Sequence, residues 1–287
     1  IAPLFLYNNF LMKKLIATLL LFSCTGLFAQ VVETGHARAS LIADTSFSEE
    51  YFYVGIKLEM DNGWHTYWKN PGDSGGPFTV QWIHEMDIIL ENVSWPTPEI
   101  IPYDPLITYG YKNEVIFPFK VFKNLNADLN ILEAKLEFLI CSDICIPESA
   151  SLVIDLANLA PSEELTKTVN SLPNKVLPIE LQVLKKSLVV NFAYDKPINE
   201  AYIFIETEDV VKYLPSHAIS KLDQENYAIE LPIENNTFQA IRGILVIDGN
   251  IYIIEGLNNS EQSNSLSLWQ VILFALLGGL IINLMPC

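Results

Sequence analysis

Apolar and polar side chains alternate along much of this chain, at the period expected of half-buried strands. HARASLIAD (36–44) and YFYVGIKLEM (51–60), separated by the polar SFSEE, predict two strands joined by a loop, with a turn at Asp61-Asn62-Gly63. FTVQWI (78–83), VIFPFKVFKNL (115–125), LEAKLEFLIC (132–141) and ASLVIDL (150–156) are short and β-rich in the same way. Pro71, Pro77, Pro96, Pro98, Pro102 and Pro105 punctuate the gaps. About seven short strands with such turn signals predict an immunoglobulin-like β-sandwich.

The pattern breaks at PSEELTKTVNSLPNKVLP (161–178), which opens with a helix-start signal and closes in prolines, so a short helix or linker is expected there. Strand-like runs resume at 179–194, 201–207, 227–233 and 241–257, with a hairpin turn at Asp248-Gly249-Asn250. These predict a second small β domain, and the chain as a whole reads as mainly β. The expected organisation is a sandwich domain over 30–160, a linker over 161–178 and the second β domain over 179–258.

Both ends carry longer apolar runs. Met12-Lys13-Lys14, the run LIATLLLF and a small residue at Ala29 have the layout of an export signal, so 1–29 are expected to be upstream residues and signal peptide. About eight apolar residues are too few to span roughly 30 Å of hydrocarbon. From Trp269 to Met285 the chain offers 17 consecutive uncharged residues after a polar stretch, ending at Cys287. Residues 259–287 are therefore expected to be a tether and the start of a transmembrane helix, with Trp269 at the interface.

All 34 acidic residues but only 15 of the 17 basic ones lie beyond Ala29, a net charge of −19 for that part. Nucleic acid is excluded as a partner class, because its phosphates need cationic neutralisation. The charge itself reads as solubility.

Two stretches carry candidate chemistry. In LICSDICIPES, Cys141 and Cys145 are four residues apart, which along a straight strand is about 13 Å, too far for a disulfide. The chain must fold back through Ser142-Asp143-Ile144 for the sulfurs to meet. A structural staple, a redox-active pair and a soft-metal site all remain open for these thiols. A Cu(I) site would want a further ligand, and His65, Met60 and Met86 are nearest in sequence. No third cysteine is close enough to suggest zinc or an iron–sulfur cluster.

The second stretch is GWHTYWKNPGDSGGP (63–77). Trp64, His65, Tyr67 and Trp68 form an aromatic patch, followed by letters that match the nucleophile loop of chymotrypsin-like proteases around Ser74. Protease chemistry is rejected. In that fold the serine comes late in the chain, after its His and Asp partners, whereas here it precedes nearly all of the predicted strands. Ser74 reads as a turn residue, and His36, His84 and His217 as ordinary surface or packing histidines.

Taken in order, GWHTYWKNPGDSGGPFTVQW, WPTPE (95–99), TYGYKNEVIFPF (108–119), LICSDICIPESASL (139–152) and the ending LLGGLIINLMPC resemble DsbD-type thiol:disulfide interchange proteins, with the ScsB-like, copper-tolerance-associated branch nearest. The resemblance implies a protein-disulfide reductase that is part of a larger inner-membrane protein with these domains in the periplasm, and a link to cytochrome c biogenesis. It implies that Cys141 and Cys145 form the redox pair, that Cys145 attacks partner disulfides and Cys141 resolves, and that Cys287 is the first membrane cysteine. Implied partners are periplasmic thioredoxin-like proteins and the protein's own membrane domain; no cofactor or metal is implied beyond the redox-active disulfide. The alternative is a periplasmic copper-binding module using the same cysteines. His65, Trp64, Tyr67, Trp68 and Asp143 are candidates for shaping the site, and Asp143 is expected to raise a neighbouring thiol's pKa. The gap between the cysteines is shorter than in the well-studied members, so loop geometry does not transfer.

Overall fold

The computed structural model describes residues 31–258 apart from 45, 49, 84–88, 123–130, 157–160 and 236, together with 269 and 272. The export segment, Cys287 and nearly all of the expected membrane helix lie outside the described residues. Among the described residues no helix is long and apolar enough to cross a membrane.

The strands of the first unit are β1 Val32–Glu33, β2 Ala37–Asp44, β3 Tyr51–Met60, β4 His65–Gly72, β5 Thr79–Ile83, β6 Ile89–Leu90, β7 Glu99–Tyr103, β8 Leu106–Lys112, β9 Glu114–Phe122, β10 Ile131–Cys141 and β11 Cys145–Asp155. They form two sheets, ordered β1-β2-β3-β9-β6 and β11-β10-β4-β8-β7, with β5 also paired along β10. Alternation decides what each strand buries. On β3, Phe52, Val54, Ile56 and Leu58 face the core, while on β10 Leu132, Ala134, Leu136 and Ile140 meet them from the other sheet. This is the immunoglobulin-like sandwich that the patterning predicts.

The single described helix of this region, α1 (Glu163–Ser171), is capped by Ser162, whose hydroxyl accepts the Leu165 N–H, and has Glu163 and Glu164 in its first turn. Leu165 packs over Gly55, where a Cβ would lie 2.9 Å from its Cδ1. Thr166 donates to Asp44 at 2.6 Å and Lys57 donates to Glu164 at 2.7 Å, so the segment is docked against the first sheet and Pro173 follows its end.

The second unit comprises β12 Ile179–Val183, β13 Ser187–Ala193, β14 Ala201–Ile205, β15 Ile219–Lys221, β16 Asn226–Pro232, β17 Ala240–Ile247 and β18 Asn250–Leu257. One sheet runs β12-β13-β16-β15 and the other β14-β17-β18. The β17–β18 hairpin turns at Asp248 and Gly249, both at positive φ, so an Asp-Gly pair suits it. Every residue of β14 is buried. Ile203 and Ile205 face this unit's own core, whereas Tyr202 and Phe204 join the core of the first unit. That explains why AYIFI shows no alternation: both of its faces are covered.

The junction between the units is polar as well as aromatic. The fully buried Asn70 donates from Nδ2 to Ile205 O at 2.7 Å, and its Oδ1 accepts from Tyr213 Oη at 3.1 Å and from Gly72 N at 3.0 Å. Tyr109 and Tyr202 hydroxyls meet at 3.0 Å.

His217 stacks on Tyr202, with centroids 4.0 Å apart, and its Nδ1 accepts the Ile203 N–H at 3.1 Å. That acceptor role requires neutral imidazole, and burial pushes its pKa from the usual 6.5 down to about 4. Between those values the unfolded chain binds a proton that the native state does not, so stability is complete above pH 6.5 and falls as pH drops towards about 4. We expect a loss on the order of 3 kcal/mol across that window. Urea unfolding of wild type and His217→Phe from pH 7 to 4 checks this: the difference between the two should shrink as pH falls, and parallel profiles would refute it.

Candidate active site at the cysteine hairpin

β10 and β11 pair without interruption from Ile131↔Asp155 to Cys141↔Cys145. The three residues 142–144 make the turn, in which Ser142 N–H donates to Ile144 O at 3.0 Å. The cysteines are thus direct cross-strand neighbours with Cα atoms 4.2 Å apart, joined as a disulfide. On its other side Cys141 pairs with His65 of β4, and His65 pairs with Lys112 of β8. Residues directly opposite in a sheet share a face, so Cys145, Cys141, His65 and Lys112 form one row across four strands, on the outer face.

The two cysteines differ in exposure. Odd-numbered residues of β10 point outward and most are at least partly exposed, but Cys141 is only 1% exposed. Cys145 is exposed, and Ile144 beside it at the hairpin tip is 64% exposed.

Tyr67, two residues along β4 from His65 and so on the same face, reaches the disulfide at Cys145. Its hydroxyl lies 3.3 Å from Cys145 Sγ. A disulfide sulfur carries no hydrogen, so Tyr67 is the donor. The ring meets His65 edge-on at 5.3 Å. Although Tyr67 is 1% exposed, it is not part of the sandwich core. The segment 73–78 covers it, leaving β4 at Gly72 and returning to the same edge of β10 as β5. Gly72, at φ +85°, turns the chain where a Cβ would lie 2.5 Å from Ile107 O. Asp73 clamps the segment to β8: its N–H donates to Ile107 O at 2.9 Å and its carboxylate accepts the Ile107 N–H at 2.7 Å. Ser74 hydrogen-bonds the Tyr67 side chain. Gly75, at φ +100°, lies flat on the Tyr67 ring, so close that a Cβ there would sit 2.2 Å from it.

The letters of the protease-like motif therefore describe a cover over Tyr67. Ser74 is engaged by a tyrosine and Asp73 by a backbone amide, so neither is arranged with His65 as a triad. Burial of Tyr67 raises its pKa, with the Ser74 hydrogen bond opposing, so the phenol stays protonated at neutral pH. His65 is held below its ordinary value, chiefly by burial and then by the Lys112 charge, and is neutral there too.

Trp64 stacks on His36 with centroids 3.7 Å apart and, with His65, Tyr103, Lys112 and Asp143, lines a cleft of about 380 Å³ beside the hairpin. Asp143 is exposed at the tip. Trp68 lies on the opposite face of β4, fully buried against Tyr109 and Phe204, away from the sulfurs. Of the residues singled out from sequence, the structure thus gathers Cys141, Cys145, His65, Tyr67, Trp64 and Asp143, and places Trp68 at the junction of the two units. Ser74, Gly75 and Lys112 join the site without having been singled out for it. Met60 is in the core, Met86 is outside the described residues, and no group of three or more His, Cys, Asp or Glu suited to a metal occurs among the described residues.

Residues 37–157 match the family described as thiol:disulfide interchange protein DsbD, N-terminal. The fold is similar to the crystal structure of the N-terminal periplasmic domain of ScsB from Proteus mirabilis, with a TM-score of 0.62 and 20% identity over 77% of this chain and 92% of that one. No curated protein matches the sequence.

Proposed function

We propose, from the premise that residues 37–157 form a DsbD/ScsB-like N-terminal domain whose general chemistry is thiol:disulfide interchange, that this chain is a periplasmic protein-disulfide reductase working through Cys141 and Cys145. The unequal exposure of the two cysteines carries this reading, since a partner must reach one of them to form a mixed disulfide and the other, held beside it, can then resolve that bond. In the reduced form the Cys145 thiolate attacks a partner disulfide, forming a mixed disulfide and releasing one partner thiolate, which takes up a proton. The Cys141 thiolate then attacks Cys145 Sγ, the second partner thiolate leaves, and the Cys141–Cys145 disulfide is restored. Two electrons pass to the partner, and a dithiol donor must return them.

In this proposal the donor is a membrane-embedded cysteine pair that includes Cys287, the partners are thioredoxin-like, and the chain is tethered to the inner membrane by 259–287. The redox domain spans 30–160, the linker 161–178 and the second β domain 179–258. The disulfide itself is the redox group.

Exchange with a reduced thioredoxin-like protein, and the equilibrium potential it yields, tests the reading. We expect reduction of Cys141–Cys145 with a potential above about −300 mV. A potential well below that value with no exchange would make the disulfide a staple. Tight Cu(I) binding by a reduced form inert to exchange would replace the reading with the copper module.

A further inference from the structure

The segment GDSGGP is not used by the exchange steps above, yet it is built around Tyr67, whose hydroxyl touches the sulfur of the exposed Cys145. We infer that Tyr67, oriented by Ser74 and held in place by Gly75, donates a hydrogen bond that favours the thiolate form of reduced Cys145. This deepens the exchange reading and rests on it.

Three observations converge. The Tyr67 hydroxyl is 3.3 Å from Cys145 Sγ and is the donor in that contact. The Ser74 side chain hydrogen-bonds the same tyrosine, and because the single hydroxyl hydrogen of Tyr67 is directed at sulfur, the Ser74 hydroxyl is the donor to it. Gly75 permits the ring to lie where it does, because any side chain there would displace it. The relay runs in one direction, Ser74 to Tyr67 to Cys145, and each O–H has its acceptor.

The consequence for the chemistry follows from which protonation state attacks. Only the thiolate is the nucleophile, and a free cysteine near pKa 8.5 is mostly thiol at neutral pH. Hydrogen bonds to a charged acceptor are stronger than neutral ones and favour the charged form. Asp143 works against this, but it is exposed at the hairpin tip, where water screens its charge, whereas the Tyr67 side chain is 1% exposed and its contact with the sulfur is partly buried. His65 cannot supply the stabilising charge, because it is neutral. Tyr67 is therefore a catalytic residue in contact with the reacting atom, and Ser74 is a positioning residue that acts through it.

The test is the pH dependence of Cys145 alkylation by iodoacetamide in the reduced full chain, read by site-resolved mass spectrometry so that the other cysteines do not contribute. Tyr67→Phe keeps the ring against Gly75 and removes only the hydroxyl. We expect its alkylation midpoint to move up by about one pH unit, and its rate at pH 7 to fall by roughly tenfold. Ser74→Ala should move the midpoint in the same direction by less, and Ser74→Thr, which retains a hydroxyl, should restore the wild-type profile. A Tyr67→Phe profile that superimposes on wild type, or shifts to lower pH, overturns the inference. Because alkylation needs no redox partner, that result is separate from failure of wild type to exchange with a thioredoxin-like dithiol, which would sink the exchange reading instead.

Discussion

Cys141→Ser should accumulate a covalent complex with a thioredoxin-like partner, whereas Cys145→Ser should form none. The expectation follows from access. Cys145 is exposed on the first residue of β11, and Cys141, directly across the hairpin, is 1% exposed. With Cys141 replaced, the reduced chain still presents Cys145 to a partner disulfide and forms the mixed disulfide, but no neighbouring thiolate remains to break it. With Cys145 replaced, the remaining thiol belongs to a residue that is 1% exposed, out of a partner sulfur's reach. Turnover falls to background in both variants, so the adduct is the informative quantity. Non-reducing electrophoresis after mixing each variant with an oxidised partner reads it. Adduct formation by Cys145→Ser, and not by Cys141→Ser, would reverse the assigned roles.

How far these roles were legible in the sequence depends on which faces of each strand are covered. β3 and β10 are covered on one face along most of their length, so their alternation was plain, and the LICSDIC hairpin followed from the need to bring two sulfurs together. β4 was not legible as a strand that continues to Gly72. Its outer face is covered by 73–78 around Tyr67, and its inner face by the core and the second unit, so HTYWKNPG has no polar phase and its proline and glycine read as a loop. β8 was passed over because TYGYK places Tyr109 and Tyr111 inward and Gly110 outward, against the backbone of β4, where only a glycine lets Thr66 O approach. Ser74 and Gly75 looked like turn residues for the same reason: their purpose lies in a ring seven or eight residues earlier. A glycine that follows an aromatic strand and must lie against it is the one local signal that could have pointed there.

Trp68→Ala should destabilise the protein by about 3–5 kcal/mol, towards the lower end of that range, and Trp68→Phe should cost far less. Trp68 is among the largest fully buried side chains, and it belongs to both units at once: it packs edge-on against Tyr109 of β8 at 6.4 Å and Phe204 of β14 at 6.2 Å. Truncation to alanine removes the indole from a place where neither sheet can close on the space, because β14 is fixed to β4 by the Asn70–Ile205 hydrogen bond. Against this stands the indole Nε1, which is buried without a hydrogen-bond partner. An unsatisfied buried donor costs about 1–3 kcal/mol, and both substitutions relieve it. Phenylalanine keeps most of the apolar contact and drops the orphaned N–H, so the two terms nearly offset. Urea unfolding of the three proteins separates the contributions. A Trp68→Phe variant as unstable as Trp68→Ala would mean that the Nε1 group makes a bond essential to the junction. A Trp68→Ala variant within 1 kcal/mol of wild type would mean that the two units do not depend on each other at this residue.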